Sequence, residues 1–206
     1  MPNFMQLKHK KMECKGYPEI NSDFSHLEGT DCYCSPEAAT EIREAVKNMP
    51  LQAVHFLGTG DYHYLSLFWA ERISGPFVLC LLDNHPDDQP GAFSEDTLSC
   101  GSWVPEVRKL PTCRGVKWIR KAGDYRGMSG SVYLSIDLDV LSEDYATTGW
   151  SQGTMTPDEL CSIVRDIRGN CRLIGADICG GIRENPRINA AIMERICKTI
   201  NGNELR

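Results

Sequence analysis

Residues 77–87 have the sequence FVLCLLDNHPD, which joins six apolar residues directly to a D-x-H-x-D motif. An uninterrupted apolar run of this length is typical of a parallel strand that is buried on both faces of a sheet. Open parallel sheets bind ligands at the carboxyl ends of their strands, which is where the acids and the imidazole of this motif would lie. The segment therefore predicts a buried strand with a binding site at its end.

The rest of the chain alternates between buried strands and helices. Further strands are predicted at 53–57, 132–136 and 173–178, with a weaker one at 116–119. Helices are predicted at 35–48 and 64–72, directly after Thr156, and at 189–201. Ser35 and Thr156 are the expected N-caps, and Glu159 completes a capping box with Thr156. The alternation predicts an α/β fold, a three-layer α/β/α sandwich with a mainly parallel sheet, as a single domain over residues 1–206.

Composition limits the classes of partner. The chain has 206 residues and a formal net charge of −6, so it offers no electrostatic attraction to nucleic acid or to an anionic membrane. We expect a small-molecule substrate instead. The sequence contains neither an apolar run of membrane-spanning length nor a secretory signal, which predicts a cytoplasmic location. The basic cluster at residues 8–11 is interpreted as a solvated strand edge.

The ten cysteines are interpreted as reduced thiols. Cys80, Cys179 and Cys197 lie in apolar runs, where cysteine acts as a small buried hydrophobe. Cys32 and Cys34 resemble half of a zinc site, but no second pair stands at a useful spacing. We therefore expect no zinc site at this pair.

Acidic and histidine side chains follow three of the predicted strands. The six candidate metal ligands are His63, Asp83, His85, Asp87, Asp137 and Asp139. Because the carboxyl ends of parallel strands meet at one edge of the sheet, these side chains can converge on one crevice. Alternation along an extended segment also directs the D-x-H-x-D ligands to one side, and the D-x-D ligands likewise. Crowded carboxylates require cations, and six ligands suit two bridged ions better than one. Asp61 is expected beside the ligands rather than among them.

These motifs resemble those of the ureohydrolase family, which includes arginase, agmatinase and formiminoglutamase. GDYH at 60–63, DNHPD at 83–87 and SIDLD at 135–139 are similar to the family's G-G-D-H, D-A-H-x-D and S-x-D-x-D motifs. The segment 148–160 is similar to the family's loop ending in G-T-x-x-P before a helix. The resemblance extends over about residues 54–178 and implies an arginase-like fold.

The resemblance implies a hydrolase of a non-peptide C–N bond in a linear amidine, guanidine or amide, with two divalent ions, Mn²⁺ by preference, and a hydroxide held between them. One ion would be surrounded by His63, Asp83, Asp87 and Asp137, and the other by Asp83, His85, Asp137 and Asp139. Asp83 and Asp137 would bridge the ions, and Asp87 would orient the hydroxide. The resemblance also leaves open that the chain forms a homo-oligomer, since ureohydrolases commonly form trimers or hexamers.

Three positions depart from the family pattern. Cys100 stands where the family has a His that moves protons, Gly180 where it has a guanidinium-binding Glu, and Gln89 where arginases have an Asn that holds the substrate. Cys100 is therefore a candidate catalytic residue beside Asp87, and Gln89 and Gly180 are candidate substrate-binding positions. Two alternatives stay open. One is a single-metal amide hydrolase of the deacetylase type, and the other is a catalytically impaired metal-binding protein with a regulatory or interaction role.

Overall fold

Eight strands are found in the computed structural model, which describes residues 16–91, 97–185 and 187–203. In chain order they are β1 (Glu19–Asn21), β2 (Tyr33–Cys34), β3 (Val54–Gly58), β4 (Phe77–Leu82), β5 (Leu98–Ser99), β6 (Cys113–Ile119), β7 (Gly130–Asp137) and β8 (Cys171–Cys179). Six of them form one sheet in the order β1-β3-β8-β7-β4-β6, and every neighbouring pair is parallel. β2 and β5 form a separate antiparallel pair.

Five α-helices in the described ranges cover both faces of this sheet. They are α1 (Pro36–Val46), α2 (Leu65–Ala70), α3 (Val104–Lys109), α4 (Pro157–Asn170) and α5 (Ala190–Asn201). Along β4, Leu79 and Leu81 pack with α1, α2 and α3, while Cys80 and Leu82 pack with α4 and α5. Because successive residues of a strand point to opposite faces, the two groups of helices lie on opposite sides of the sheet. The α/β fold expected from the sequence is confirmed.

The predicted elements agree with the structure except where segments are short. β4 has the predicted bounds, and the other predicted strands differ by one to three residues at their ends. β1, β2, β5 and α3 were not predicted, since elements of two to six residues carry too little periodicity to identify. The basic cluster at 8–11 lies outside the described residues.

Two helix starts use the predicted caps. The backbone N–H of Ala38 donates to Oγ of Ser35 at 3.1 Å. At α4, the N–H of Thr156 donates to Oε2 of Glu159 at 2.8 Å, and the N–H of Glu159 donates back to Oγ1 of Thr156 at 3.3 Å. This capping box ends the loop that follows β7 and so determines where α4 begins.

The cysteines of the described residues are all free, as the sequence predicts. The thiol of Cys32 donates to Oδ1 of Asp61 at 3.3 Å, whereas that of Cys34 donates to the carbonyl oxygen of Ser35 at 3.6 Å. The two thiols therefore have different hydrogen-bond partners. Within the same residues, no helix is long and apolar enough to cross a membrane.

Removing the capping box at α4 should destabilise the fold measurably. We predict that Thr156→Ala lowers the free energy of unfolding by about 1 kcal/mol, because the backbone N–H of Glu159 loses its acceptor and the Glu159 carboxylate loses the hydroxyl that donates to it. Ser162→Ala is the matched control, since Ser162 is exposed in the middle of the same helix. Urea denaturation measures both variants, and equal stability of the two would contradict the role assigned to the cap.

Candidate metal centre

The carboxyl ends of three strands bring the predicted ligands to one edge of the sheet. His63 follows β3 after the short 3-10 turn Gly60–Tyr62, Asp83 directly follows β4, and Asp137 is the last residue of β7. The cavity at this edge has a volume of about 290 Å³. All six predicted ligands line it, namely His63, Asp83, His85, Asp87, Asp137 and Asp139.

One group of ligand atoms surrounds Nδ1 of His63. This nitrogen lies 2.9 Å from Oδ2 of Asp87, 3.1 Å from Oδ2 of Asp83 and 3.7 Å from Oδ2 of Asp137. All four side chains are buried, and His63 is 1% exposed. Three carboxylates therefore face one imidazole, and all four side chains are almost fully removed from solvent.

A second group surrounds Nδ1 of His85. This nitrogen lies 2.8 Å from Oδ2 of Asp139 and 3.6 Å from Oδ1 of Asp83. Asp83 thus faces His63 with one oxygen and His85 with the other, as a carboxylate that bridges two cations would. Ligand atoms of His63, Asp83 and Asp87 lie close enough together to hold a metal ion, and so do those of Asp83, His85 and Asp139.

Backbone N–H groups hold the carboxylates in these orientations. The N–H of His85 donates to Oδ1 of Asp83 at 2.6 Å, and the N–H of Asn84 donates to Oδ1 of Asp139 at 3.1 Å. The N–H of Asp139 donates to Oδ1 of Asp137 at 3.0 Å. The bonds to Asp83 and Asp137 arise within the tight turns after β4 and β7, so D-x-H and D-x-D orient their own first carboxylates, whereas the bond to Asp139 joins the two turns.

Two residues that were not predicted as site residues orient the imidazole of His63 through its Nε2 atom. Oγ of Ser135 lies 2.9 Å from Nε2 of His63 and donates to Oδ1 of Asp177 at 2.6 Å. Because the Ser135 hydroxyl donates to Asp177, its oxygen accepts from Nε2–H of His63. Nδ1 can then present its lone pair to a cation. Ser135 and Asp177 are register partners on β7 and β8, which only the order of strands in the sheet reveals.

Asp87 is held in an unusual backbone conformation. Its φ is +48°, which is uncommon for a residue with a side chain. The indole N–H of Trp103 donates to Oδ2 of Asp87 at 2.7 Å, and the N–H of Val104 donates to its carbonyl oxygen at 3.1 Å. These bonds aim the carboxylate at His63 and compensate for the strained backbone.

Comparison with known proteins supports the same family as the geometry does. The family model "Arginase family" matches residues 95–180. A protein from Thermotoga maritima, described as uncharacterized, is 30% identical over a 200-residue alignment that covers 82% of this chain and 78% of that protein. The chain belongs to the arginase family.

Solved structures share the fold at low sequence identity. Arginase from Bacillus caldovelox has a TM-score of 0.62 and 14% identity, with 88% of this chain and 81% of that chain covered. A hypothetical agmatinase from Burkholderia thailandensis has a TM-score of 0.61 and 17% identity, with coverages of 84% and 67%. A formiminoglutamase variant from Trypanosoma cruzi with Mn²⁺ has a TM-score of 0.60 and 12% identity, with coverages of 82% and 72%. These likenesses show an arginase fold.

The centre carries an excess of negative charge. Burial, followed by the charges of Asp139 and Asp83, raises the pKa of Asp137 well above its ordinary value. Hydrogen bonds with Asp139 and Asp83 raise the pKa of His85 to about 10. Among the described residues, none donates a hydrogen bond to Oδ2 of the buried Asp83. The cluster therefore stabilises added positive charge, and divalent cations would supply it.

The positions that depart from the arginase-family pattern lie in two places. Gln89 and Cys100 line the cavity. Burial, followed by the charge of Asp87, raises the pKa of the Cys100 thiol to about 11, so the thiol is neutral at pH 7. Gly180 does not line this cavity. Its φ is +109°, and a Cβ there would lie 2.9 Å from Oδ1 of Asp137, so the position has no room for a side chain.

Asp61 stands beside the centre and pairs with a cation of the protein. Oδ2 of Asp61 accepts from Nε of Arg183 at 3.1 Å and from Nη2 at 2.8 Å, and Arg183 also pairs with Asp31. Asp31, Cys32 and Asp61 are close enough to hold a metal, but Arg183 already pairs with both carboxylates of this group. The indole N–H of Trp150 donates to Oδ1 of Asp61 at 3.2 Å, which holds the ring at the mouth of the cavity.

The different surroundings of Asp61 and His63 predict different metal contents for their variants. We expect His63→Ala to bind at least one equivalent of divalent metal less than the unaltered chain, because a whole ligand group loses its nitrogen. Asp61→Ala should keep the full content, because the contacts it loses, the ion pair with Arg183 and hydrogen bonds from Thr59, Cys32 and Trp150, lie outside the two ligand groups. Elemental analysis after dialysis measures both. Equal losses of metal in the two variants would contradict the choice of His63, and not Asp61, as the ligand in this segment.

Proposed function

We propose that the chain is a binuclear metal-dependent hydrolase that cleaves a non-peptide C–N bond in a small linear amidine, guanidine or amide. The observation that carries the proposal is the pair of ligand groups that share Asp83. Membership of the arginase family supports it, because solved structures with the same fold are named arginase, agmatinase and formiminoglutamase.

The donor set fits two divalent ions. His63, Asp83, Asp87 and Asp137 would hold one, and Asp83, His85, Asp137 and Asp139 would hold the other. Carboxylate and imidazole donors suit Mn²⁺, and the free Oδ2 of Asp83 offers a lone pair that no described donor occupies. When bound, such ions would polarise the scissile group and activate water for attack.

Asp87 is the residue best placed to orient the attacking water. Its carboxylate is buried, lines the cavity and is fixed by the indole of Trp103. An ionised carboxylate only accepts hydrogen bonds, so it would accept one from the water and direct the water's lone pair at the substrate carbon. The strained backbone of Asp87 is consistent with such a role, because strain of this kind persists where function requires it.

The cavity indicates a compact substrate. Its volume of about 290 Å³ is near the lower end for small-molecule sites. Among the described residues that line it, none is Lys or Arg, so a substrate carboxylate would find no cationic partner. The indole of Trp150 and the ring of Pro86 supply apolar surface near the ligands. We infer a small neutral or cationic substrate without an anionic tail.

A metal-binding protein without turnover is the second candidate, and Cys100 favours it. The arginase-family pattern places a proton-moving His at this position, and a neutral thiol is a poor replacement for an imidazole. Catalysis would then depend on water or product to carry the proton away. Retention of metal without any hydrolysis would support this candidate over the enzyme.

A substrate screen tests the proposal. The Mn²⁺-loaded protein is assayed for urea and ammonia release from small guanidines, amidines and amides, with L-arginine included. We predict turnover of a compact substrate and a kcat on arginine below about 1 s⁻¹, the lower end of the usual enzyme range. Arginine should be poor because its carboxylate lacks a cation and because Gly180 provides no acid for its guanidinium.

Asp137→Asn is the control for this screen, since it keeps the size of the side chain and removes a charge that both ions would use in the proposed centre. Any activity that this variant retains in full comes from a contaminant. A kcat on arginine of about 1 to 10³ s⁻¹ would contradict the substrate class inferred from the cavity. Full metal loading with no turnover on any compound would favour the non-catalytic candidate.

A further inference from the structure

A buried thiol ends the strand that lies between two of the ligand-bearing strands. Cys179 is the last residue of β8, which lies between β3 and β7 in the sheet. Its register partners are Gly58 on β3 and Asp137 on β7. Neighbouring strands lie about 4.8 Å apart, so Cys179 stands at the level where the metal ligands leave the sheet.

The thiol contacts a ligand carboxylate directly. Sγ of Cys179 donates to Oδ2 of Asp137 at 3.1 Å. Ligand atoms of His63, Asp137 and Cys179 all lie within 4.8 Å of one another. Donor atoms around a tetrahedral ion are roughly 3 to 4 Å apart when the metal lies 2.0 to 2.3 Å from each of them. The spacing of these atoms is therefore compatible with one shared ion.

An independent observation points to a cation at the same place. Asp83 is 1% exposed, and its Oδ2 accepts no hydrogen bond from any described residue. This atom lies 3.1 Å from Nδ1 of His63, and His63 is also a member of the group with Cys179. A buried carboxylate oxygen without a donor is costly unless a cation occupies its lone pair.

The backbone after Cys179 is built to bring the thiol close. Gly180 has a φ of +109°, and a Cβ there would lie 2.7 Å from Cβ of Leu138 and 2.9 Å from Oδ1 of Asp137. Only glycine allows the end of β8 to pack this tightly against the end of β7. The sequence-based interpretation of Cys179 as a buried hydrophobe does not explain why its sulfur faces a carboxylate.

We propose that Cys179 is a ligand of the ion held by His63 and Asp137, and that this position therefore prefers a thiophilic ion such as Zn²⁺ or Co²⁺ over Mn²⁺. The inference rests on the two-ion centre of the proposed function. On binding, the thiol proton passes to solvent and the sulfur donates an electron pair to the ion. The position of His85 and Asp139 has only oxygen and nitrogen donors and keeps its preference for Mn²⁺.

Cobalt spectroscopy tests this assignment on the full chain. The metal-free protein is titrated with Co²⁺ while near-ultraviolet absorption is recorded, and bound cobalt is counted by elemental analysis in parallel. We expect a thiolate-to-cobalt charge-transfer band in the unaltered protein and its complete loss in Cys179→Ser. Cys100→Ser is the matched control, because Cys100 offers another thiol to the cavity, and it should keep the band.

A second measurement does not depend on the folding of the Cys179 variant. X-ray absorption of the Zn²⁺-loaded Cys100→Ser protein should show a sulfur neighbour near 2.3 Å from the metal. In competition experiments, Cys179→Ser should lose Zn²⁺ affinity by about 10- to 100-fold and Mn²⁺ affinity by less.

Three results would overturn the inference in different ways. Bound Co²⁺ without a charge-transfer band in the unaltered protein would exclude Cys179 as a ligand and leave the two-ion centre standing. Failure to bind Co²⁺, Zn²⁺ or Mn²⁺ at all would contradict both Cys179 ligation and the proposed centre. A band that survives in Cys179→Ser and disappears in Cys100→Ser would show that Cys100, and not Cys179, is the sulfur ligand.

Discussion

The structure around the cavity depends on the need to stabilise four buried carboxylates. Asp83, Asp87, Asp137 and Asp139 are each less than 8% exposed, and desolvating a single unpaired charge costs several kcal/mol. The two imidazoles facing them cannot neutralise four anions. The fold offsets part of the cost with backbone N–H groups and the indole of Trp103. Cations at the two ligand groups, as proposed for this centre, would offset the remainder.

The convergence of these ligands could be predicted because it depends on local rules. A strand that ends in D-x-H-x-D or D-x-D carries its ligands to the carboxyl edge whatever its neighbours are, and the bounds of β4 and the end of β7 follow from apolar runs. The capping box at Thr156 is equally local. For the same reason, the convergence of the six candidate ligands on one cavity follows from the sequence although the chain between them is long.

The residues that surround the ligands could not be predicted, because their positions depend on strand order and register. Ser135 meets Asp177, and Asp137 meets Cys179, only because β8 lies beside β7 and pairs with it in one particular register. Gly180 shows the same limit. By its resemblance to the family, Gly180 stands where a substrate-binding Glu is expected. The packing of β8 against β7, however, leaves this position no space for any side chain. Such long-range pairing has no signature within a single segment.

The most direct test of the central claim is an anomalous difference map from crystals soaked in excess Mn²⁺ and measured at the manganese edge. The account predicts two peaks roughly 3.5 to 4 Å apart, the separation found in two-metal sites, one beside His63 and Asp87 and the other beside His85 and Asp139. Asp83 should contact both peaks. A single peak, or manganese bound away from Asp83, would contradict a binuclear centre in this chain.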